Sequence, residues 1–185
     1  GYKVIYPKEE YGSTYEIPYE EYYNKGYRAI IFDIDNTLVP HGAPADERAK
    51  KLCNHLRDIG FKICFLSNNN TRRVAPFAQA LEAEYISNAG KPFKKGYRRA
   101  AELLQVEEDK ILFIGDQLLT DIIGANRMKY YSILVGPVAR KETFGIVLKR
   151  LMERISIFFF RKSHQYKGNC PNREGYEENI PEDYR

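Results

Sequence analysis

The 185 residues carry 29 Lys and Arg against 25 Asp and Glu, a net charge of +4, with 43% hydrophobic and 14% aromatic residues. That is the composition of an ordinary folded domain, and the length allows one good core but not two comfortable ones. It speaks against a disordered chain, a disulfide-stapled miniature and a general nucleic-acid binder.

Residues 1–28 are polar, rich in Tyr and interrupted by Pro7, Gly12, Pro18 and Gly26. They read as an irregular arm outside the core, with a short helix over 19–24. A regular alternation then begins. Short apolar runs over 29–34, 61–66, 85–87, 111–114 and 131–135 read as strands. Helical spacing of apolar residues is found over 44–59, 72–84, 94–104 and 119–128. Pro76 falls inside the second of these helices and is tolerable only near its first turn. Strands alternating with amphipathic helices build βαβ units. The expected fold is therefore α/β, a Rossmann-like three-layer sandwich around a mainly parallel five-stranded sheet. The domain is expected over 29–162, with 1–28 as an arm and 163–185 as a flexible tail.

Cys53, Cys64 and Cys170 are far apart in sequence, with no CxxC and no Cys/His pair. Neither a zinc site nor a disulfide framework is expected, and a reducing, intracellular compartment fits. Cys64 reads as core packing, and His41 and His55 as surface residues. No apolar run reaches the roughly 18 residues that span a bilayer, and no signal-peptide pattern is read at the start.

In an open parallel sheet, function gathers beyond the carboxyl ends of the strands. Here those ends deliver Asp33 and Asp35, then Ser67-Asn68, then Lys91, then Asp116 with Asp121. The carboxylates of Asp33, Asp35 and Asp116, brought together, repel unless a cation sits among them. Hard oxygen donors of this kind suit Mg²⁺. Ser67 and the backbone N–H groups after it can meet an anion, and Lys91 adds a fixed positive charge. Such a set fits phosphoryl transfer, with a carboxylate as nucleophile and a second one, two residues on, moving protons. Taken singly these residues are bland. Ser67 could be a helix cap, Lys91 a surface lysine, and Asp121 the partner of a neighbour such as Arg127.

Asp33-Ile34-Asp35-Asn36-Thr37, Ser67-Asn68, Lys91-Pro92 and Gly115-Asp116…Asp121 together resemble the four motifs of the haloacid-dehalogenase (HAD) superfamily, in order. By that resemblance Asp33 is the nucleophile and Asp35 the acid/base. Asp33, Asp116 and Asp35, the last through its carbonyl, hold Mg²⁺. Ser67, Asn68 and Lys91 bind the phosphoryl group, and Thr37 and Asp121 support the site. The acidic residue at position 35 favours a phosphatase over the superfamily's ion pumps and dehalogenases. Neither the stretch after Thr37 nor the 24 positions from Ser67 to Lys91 has room for a cap domain. An open site suits large or surface-bound substrates.

Two further features bear on the substrate. Residues 148–162 place Leu148, Leu151, Met152, Ile155 and Phe159 on one helical face, with Lys149, Arg150 and Arg154 toward the other. Such a basic amphipathic helix either lies in a membrane interface or packs on the sheet with its charges solvated. The wording of the first and last motifs is similar to that of the bacterial YqeG-type phosphatases, themselves similar to the phosphatidylglycerophosphate phosphatases of mitochondria and plastids. That resemblance implies hydrolysis of phosphatidylglycerophosphate to phosphatidylglycerol, at the inner face of the bacterial cytoplasmic membrane and without nucleic acid. The sequence departs from the organellar pattern at Ile34, where those relatives carry Lys. The alternatives are a HAD phosphatase for a phosphoprotein, nucleotide or sugar phosphate, and a non-catalytic binding module on the same fold.

Overall fold

The computed structural model describes residues 2–138 and 180–184. Six strands form one sheet: β1 (Glu9–Tyr11), β2 (Ala29–Phe32), β3 (Lys62–Leu66), β4 (Glu84–Ile86), β5 (Ile111–Gly115) and β6 (Tyr131–Val135). All pairings are parallel, in the order β1-β6-β5-β2-β3-β4. The helices are α1 (Tyr19–Asn24), α2 (Glu47–Ile59), α3 (Thr71–Ala80), α4 (Lys94–Leu104) and α5 (Ile123–Arg127).

Strand side chains alternate between two cores, as the period of two demands. Ile30, Phe32, Ile63, Phe65, Leu112 and Ile114 face the core that takes Leu52, Leu56, Val74 and Phe77 from α2 and α3. Ala29, Ile31, Cys64, Leu66, Ile111 and Phe113 face the core of Tyr97, Ala100, Leu104 and Ala125 from α4 and α5. This is the expected three-layer sandwich. Burial on both faces explains why the strands read as continuous apolar runs.

The arm departs from expectation. Glu9–Tyr11 adds a sixth strand against β6. The short helix at Tyr19–Asn24 is present, but Tyr15, Tyr19 and Tyr22 are buried in the first core. Their hydroxyls are satisfied: Tyr15 donates to the Leu38 carbonyl at 2.7 Å, Tyr19 to the Thr14 carbonyl at 2.7 Å, and Tyr22 pairs with Tyr11 at 2.7 Å. Of the tail, Ile180 is buried in the same core and Tyr184 lies against Tyr15, ring centroids 5.7 Å apart. These residues are packed, not free. The basic segment 148–162 lies outside the described residues.

Helix ends follow local chemistry. Asp46 caps α2 by accepting from the Ala49 N–H, and Asn70 caps α3 by accepting from the Arg73 N–H. Asn70, not Ser67, is therefore the cap of α3. Pro76 is its sixth residue, beyond the first turn. Where one helix over 119–128 is expected, a π-helical turn at Leu118–Ile122 precedes α5. Among the described residues no domain is inserted between β2 and α2 or between β3 and α4. None of their helices is long and apolar enough to cross a membrane.

Candidate active site

The carboxyl ends of β2, β3 and β5, with the loop after β4, surround an open cavity of about 310 Å³. Asp33, Asp35, Ser67, Asn68, Lys91 and Asp121 line it, with Asn36, His41, Asn69, Gln117 and Thr120. Asp33 continues β2: its N–H donates to the Ile114 carbonyl of β5 at 2.9 Å, so the sheet fixes its backbone. The chain then turns sharply, with Asn36 at φ 61°, in the left-handed region. Thr37 is fully buried, and its hydroxyl lies 3.4 Å from Asp33 Oδ2.

Lys91 is the centre of the charge network. Its Nζ donates to Asp33 Oδ1 at 2.8 Å and to Asp121 Oδ1 at 2.7 Å. Burial by itself disfavours the ammonium, but Asp121 and Asp33 outweigh it and hold Lys91 above its ordinary range. Asp121 therefore pairs with Lys91 and not with Arg127. Its Oδ2 accepts the Gln117 N–H at 3.1 Å. Burial, then the charge of Asp33, pushes Asp121 upward against the pull of Lys91.

Asp121 reaches this position because the strand end before it lacks a side chain. A Cβ on Gly115 would lie 2.5 Å from Asp121 Oδ2 and 2.6 Å from its Cβ. The π-helical turn is anchored from α4, where the Tyr97 hydroxyl donates to the Thr120 carbonyl at 2.7 Å. Gly124 lets the Tyr97 ring come close. π-Turns of this kind often mark sites where a side chain must be presented off the regular helical path.

Asp116 differs from its neighbours. Its Oδ1 is buried and has no hydrogen-bond partner among the described residues. Burial, then the charges of Asp33 and Asp121, raise its pKa well above the usual carboxylate range, and Lys91 only partly offsets them. One carboxylate oxygen from each of Asp33, Asp116 and Asp121 lies within 4.8 Å of the others. Three carboxylates against one ammonium, with an orphaned buried oxygen, form a donor set that a hard divalent cation fits. Both Asp121 oxygens are engaged, at 2.7 and 3.1 Å, whereas Asp33 Oδ2 has only the long 3.4 Å contact from Thr37, so Asp33 and Asp116 are the side chains best able to hold such an ion.

Two sequence-predicted residues are placed differently from expectation. An extended chain would put the Asp33 and Asp35 side chains on one side. Instead the Asp35 carboxylate lies outside the three-carboxylate cluster. Its Oδ1 accepts the Gly42 N–H at 2.8 Å and pairs with Arg73 Nη2 at 2.9 Å. The Asn68 side chain holds the Lys91 backbone: Oδ1 accepts its N–H at 2.6 Å and Nδ2 donates to its carbonyl at 3.1 Å. That makes Asn68 a support for Lys91, where a phosphate contact was expected. Ser67 Oγ accepts the Asn69 N–H at 3.1 Å at the floor of the cavity. Arg73 was not singled out by sequence. Its signal was slight, a pair of arginines in the first turn of a helix, where the macrodipole disfavours cations.

The haloacid dehalogenase-like hydrolase family matches residues 43–129. The protein described as "Probable phosphatase YqeG" of Bacillus subtilis is 37% identical over 164 residues, 88% of this chain and 95% of that one. The chain belongs to the haloacid dehalogenase-like hydrolases. Within that family it is a YqeG-type phosphatase, so the reading as a non-catalytic module falls away. "Phosphatidylglycerophosphate phosphatase 1, chloroplastic/mitochondrial" of Arabidopsis thaliana is 28% identical over 158 residues, 79% of this chain and 44% of that longer protein. A crystal structure of an uncharacterized protein from Listeria monocytogenes serotype 4b shares the fold. Its TM-score is 0.51 at 21% identity, covering 63% of this chain and 84% of that one.

Proposed function

We propose that this HAD phosphatase hydrolyses phosphatidylglycerophosphate to phosphatidylglycerol and phosphate through an aspartyl-phosphate on Asp33, with Mg²⁺ as cofactor. The observation that carries the chemistry is the buried Lys91 ammonium between Asp33 and Asp121, beside the unpartnered Oδ1 of Asp116.

A carboxylate oxygen of Asp33 attacks phosphorus, and the bond from phosphorus to the ester oxygen breaks. Asp35 gives that oxygen its proton. A water then attacks the phosphorus of the acyl phosphate, Asp35 takes the water's proton, and the Asp33 carboxylate is restored as phosphate leaves. Lys91 neutralises charge on the phosphoryl oxygens, held in place by Asp121 and by the Asn68 clamp on its backbone. Ser67 and the N–H groups of the following loop receive the phosphoryl group. Asp33, Asp116 and the Asp35 carbonyl would hold Mg²⁺, which would supply positive charge to the phosphoryl oxygens.

The substrate reading is supported by the name of the Arabidopsis relative and by the open cavity, over which the described residues build no cap to enclose a small metabolite. On this reading the enzyme works peripherally on the cytoplasmic membrane, and the basic sequence 148–162 is proposed to contact lipid. A phosphoprotein would also fit an uncapped site.

Phosphate release from phosphatidylglycerophosphate in mixed micelles tests the reading. It is expected to need Mg²⁺, to stop with EDTA, and to fall roughly a thousandfold or more in Asp33→Asn. Turnover that survives Asp33→Asn removes the nucleophile. Good hydrolysis of a soluble ester with none of the lipid removes the substrate.

A further inference from the structure

The largest exposed apolar side chains among the described residues are Phe93 at 69%, Leu103 at 44% and Leu119 at 43%. Phe93 and Leu119 both belong to segments that build the cavity wall. Phe93 follows Lys91-Pro92, and Leu119 precedes Thr120. The bond from the Tyr97 hydroxyl to the Thr120 carbonyl ties these two segments together. Two exposed apolar side chains thus stand one and two residues from the cavity-lining Thr120 and Lys91, in the segments that follow the carboxyl ends of β5 and β4.

The start of α4 breaks local rules. Its N-cap is Phe93, which offers no capping hydrogen bond, and its first turn has no acidic residue. Lys94 and Lys95 open the helix instead, followed by Arg98 and Arg99. Lys95, Arg98 and Arg99 are exposed, and none of the four makes an ion pair with a described residue. Cations at a helix N-terminus oppose the macrodipole, and Phe is a poor cap. Helix stability does not explain these choices. A surface that is apolar at its tip, cationic behind it and next to an active-site mouth complements an anionic lipid bilayer.

We infer that the sheet edge around the cavity is a docking face for an anionic membrane, with Phe93 and Leu119 entering the interface and Lys94, Lys95 and Arg98 on the headgroups. It rests on the lipid reading of the substrate and extends it to the surface that the enzyme works on. Docked this way, the cavity faces the headgroup layer, and a phosphoryl group on a lipid reaches Asp33 without leaving the bilayer.

Sedimentation of the full chain with vesicles tests it without turnover. Phosphatidylcholine vesicles containing phosphatidylglycerol are expected to bind the chain, pure phosphatidylcholine much less, and added salt to weaken binding. Phe93→Asp with Leu119→Asp should lower partitioning about tenfold, and Lys94→Glu or Lys95→Glu roughly fivefold each. Hydrolysis of a soluble phosphate ester should be unchanged in the Phe93/Leu119 variant, which shows that it is folded. Undiminished vesicle binding in that variant overturns the docking face. So does a change in its oligomeric state with binding intact, which would assign the patch to a second copy. Vesicle binding through Phe93 without hydrolysis of the lipid in micelles would refute the substrate and leave the docking face standing. Lipid hydrolysis without such binding would do the reverse.

Discussion

Asn68 grips both polar groups of the Lys91 backbone, accepting its N–H at 2.6 Å and donating to its carbonyl at 3.1 Å. The second residue after β3 thus fixes where the cation after β4 can stand. Cutting this clamp lets Lys91 drift from its two carboxylates. Asn68→Ala is expected to lose about ten- to hundredfold in kcat/KM, since small misplacements in a positioned site are costly. Asn68→Asp keeps the acceptor and should retain more activity than Asn68→Ala. Steady-state kinetics on a soluble ester check both, and equal activity of Asn68→Ala and the parent would show that the clamp is idle.

Gly115 stands where a methyl group would press on Asp121. Gly115→Ala must displace the Asp121 carboxylate or the end of β5. The expected result is a loss of activity of about tenfold or more, with destabilisation of about 1–3 kcal/mol from overpacking. Kinetics together with a urea titration measure the two effects separately.

Arg73 pairs with Asp35 from the first turn of α3, both side chains being 15% exposed. Arg73→Ala leaves the Asp35 carboxylate with the Gly42 N–H as its remaining hydrogen bond among the described residues. Turnover is expected to fall about tenfold, and Arg73→Lys to restore part of it as a less well-shaped cation. A turnover number that does not change in Arg73→Ala would separate Asp35 from its arginine.

The Tyr15 hydroxyl donates to the carbonyl of Leu38, in the turn that carries Asp35 and Thr37. Tyr15→Phe orphans a buried acceptor and should cost about 1–3 kcal/mol. For a chain of this size that lowers Tm by roughly 2–4 °C per kcal/mol. Thermal unfolding by circular dichroism is the measurement.

Cys53 and Cys64 are wholly buried, and burial pushes both thiols up to about 12. Alkylation with iodoacetamide should spare both in the native protein and reach them in urea, as peptide mapping would report. The unfolded chain releases these protons near pH 8.5, whereas the folded chain keeps them. Their contribution to stability is therefore full below about pH 8.5 and is lost as pH rises toward 12. The urea midpoint should fall between about pH 8 and about pH 10.5.

The alternation of apolar runs and amphipathic stretches was enough to read the three layers and five of the six strands. It also located the site, because a parallel sheet collects its carboxyl ends on one edge. Thus Asp33, Ser67, Lys91 and Asp121, far apart in the chain, meet. What was hidden depends on side-chain direction. Asp35 still lines the cavity but leaves the carboxylate cluster for Arg73, 38 residues on, because the chain bends after it. Asn68 looks like a phosphate ligand until its amide is seen on Lys91. The arm was misread because its tyrosines follow no period. Their burial is made possible by hydroxyl bonds to Leu38, Thr14 and Tyr11, contacts that a sequence pattern does not record.

The placement of β1 has a consequence for how the enzyme is made. Among the described residues Glu9–Tyr11 pairs only with β6, and the bond from Lys8 to Ser132 bridges 124 positions. On the ribosome β1 waits without its partner until β6, about 120 residues on, is synthesised. Residues 29–127 contain four adjacent strands and can begin to collapse first, domain-wise from the N-terminal side. Closing so long a loop is slow, and contacts of this span set folding speed. The arm then latches late, and β1 stays unpaired and open to unwanted pairing until β6 has been made.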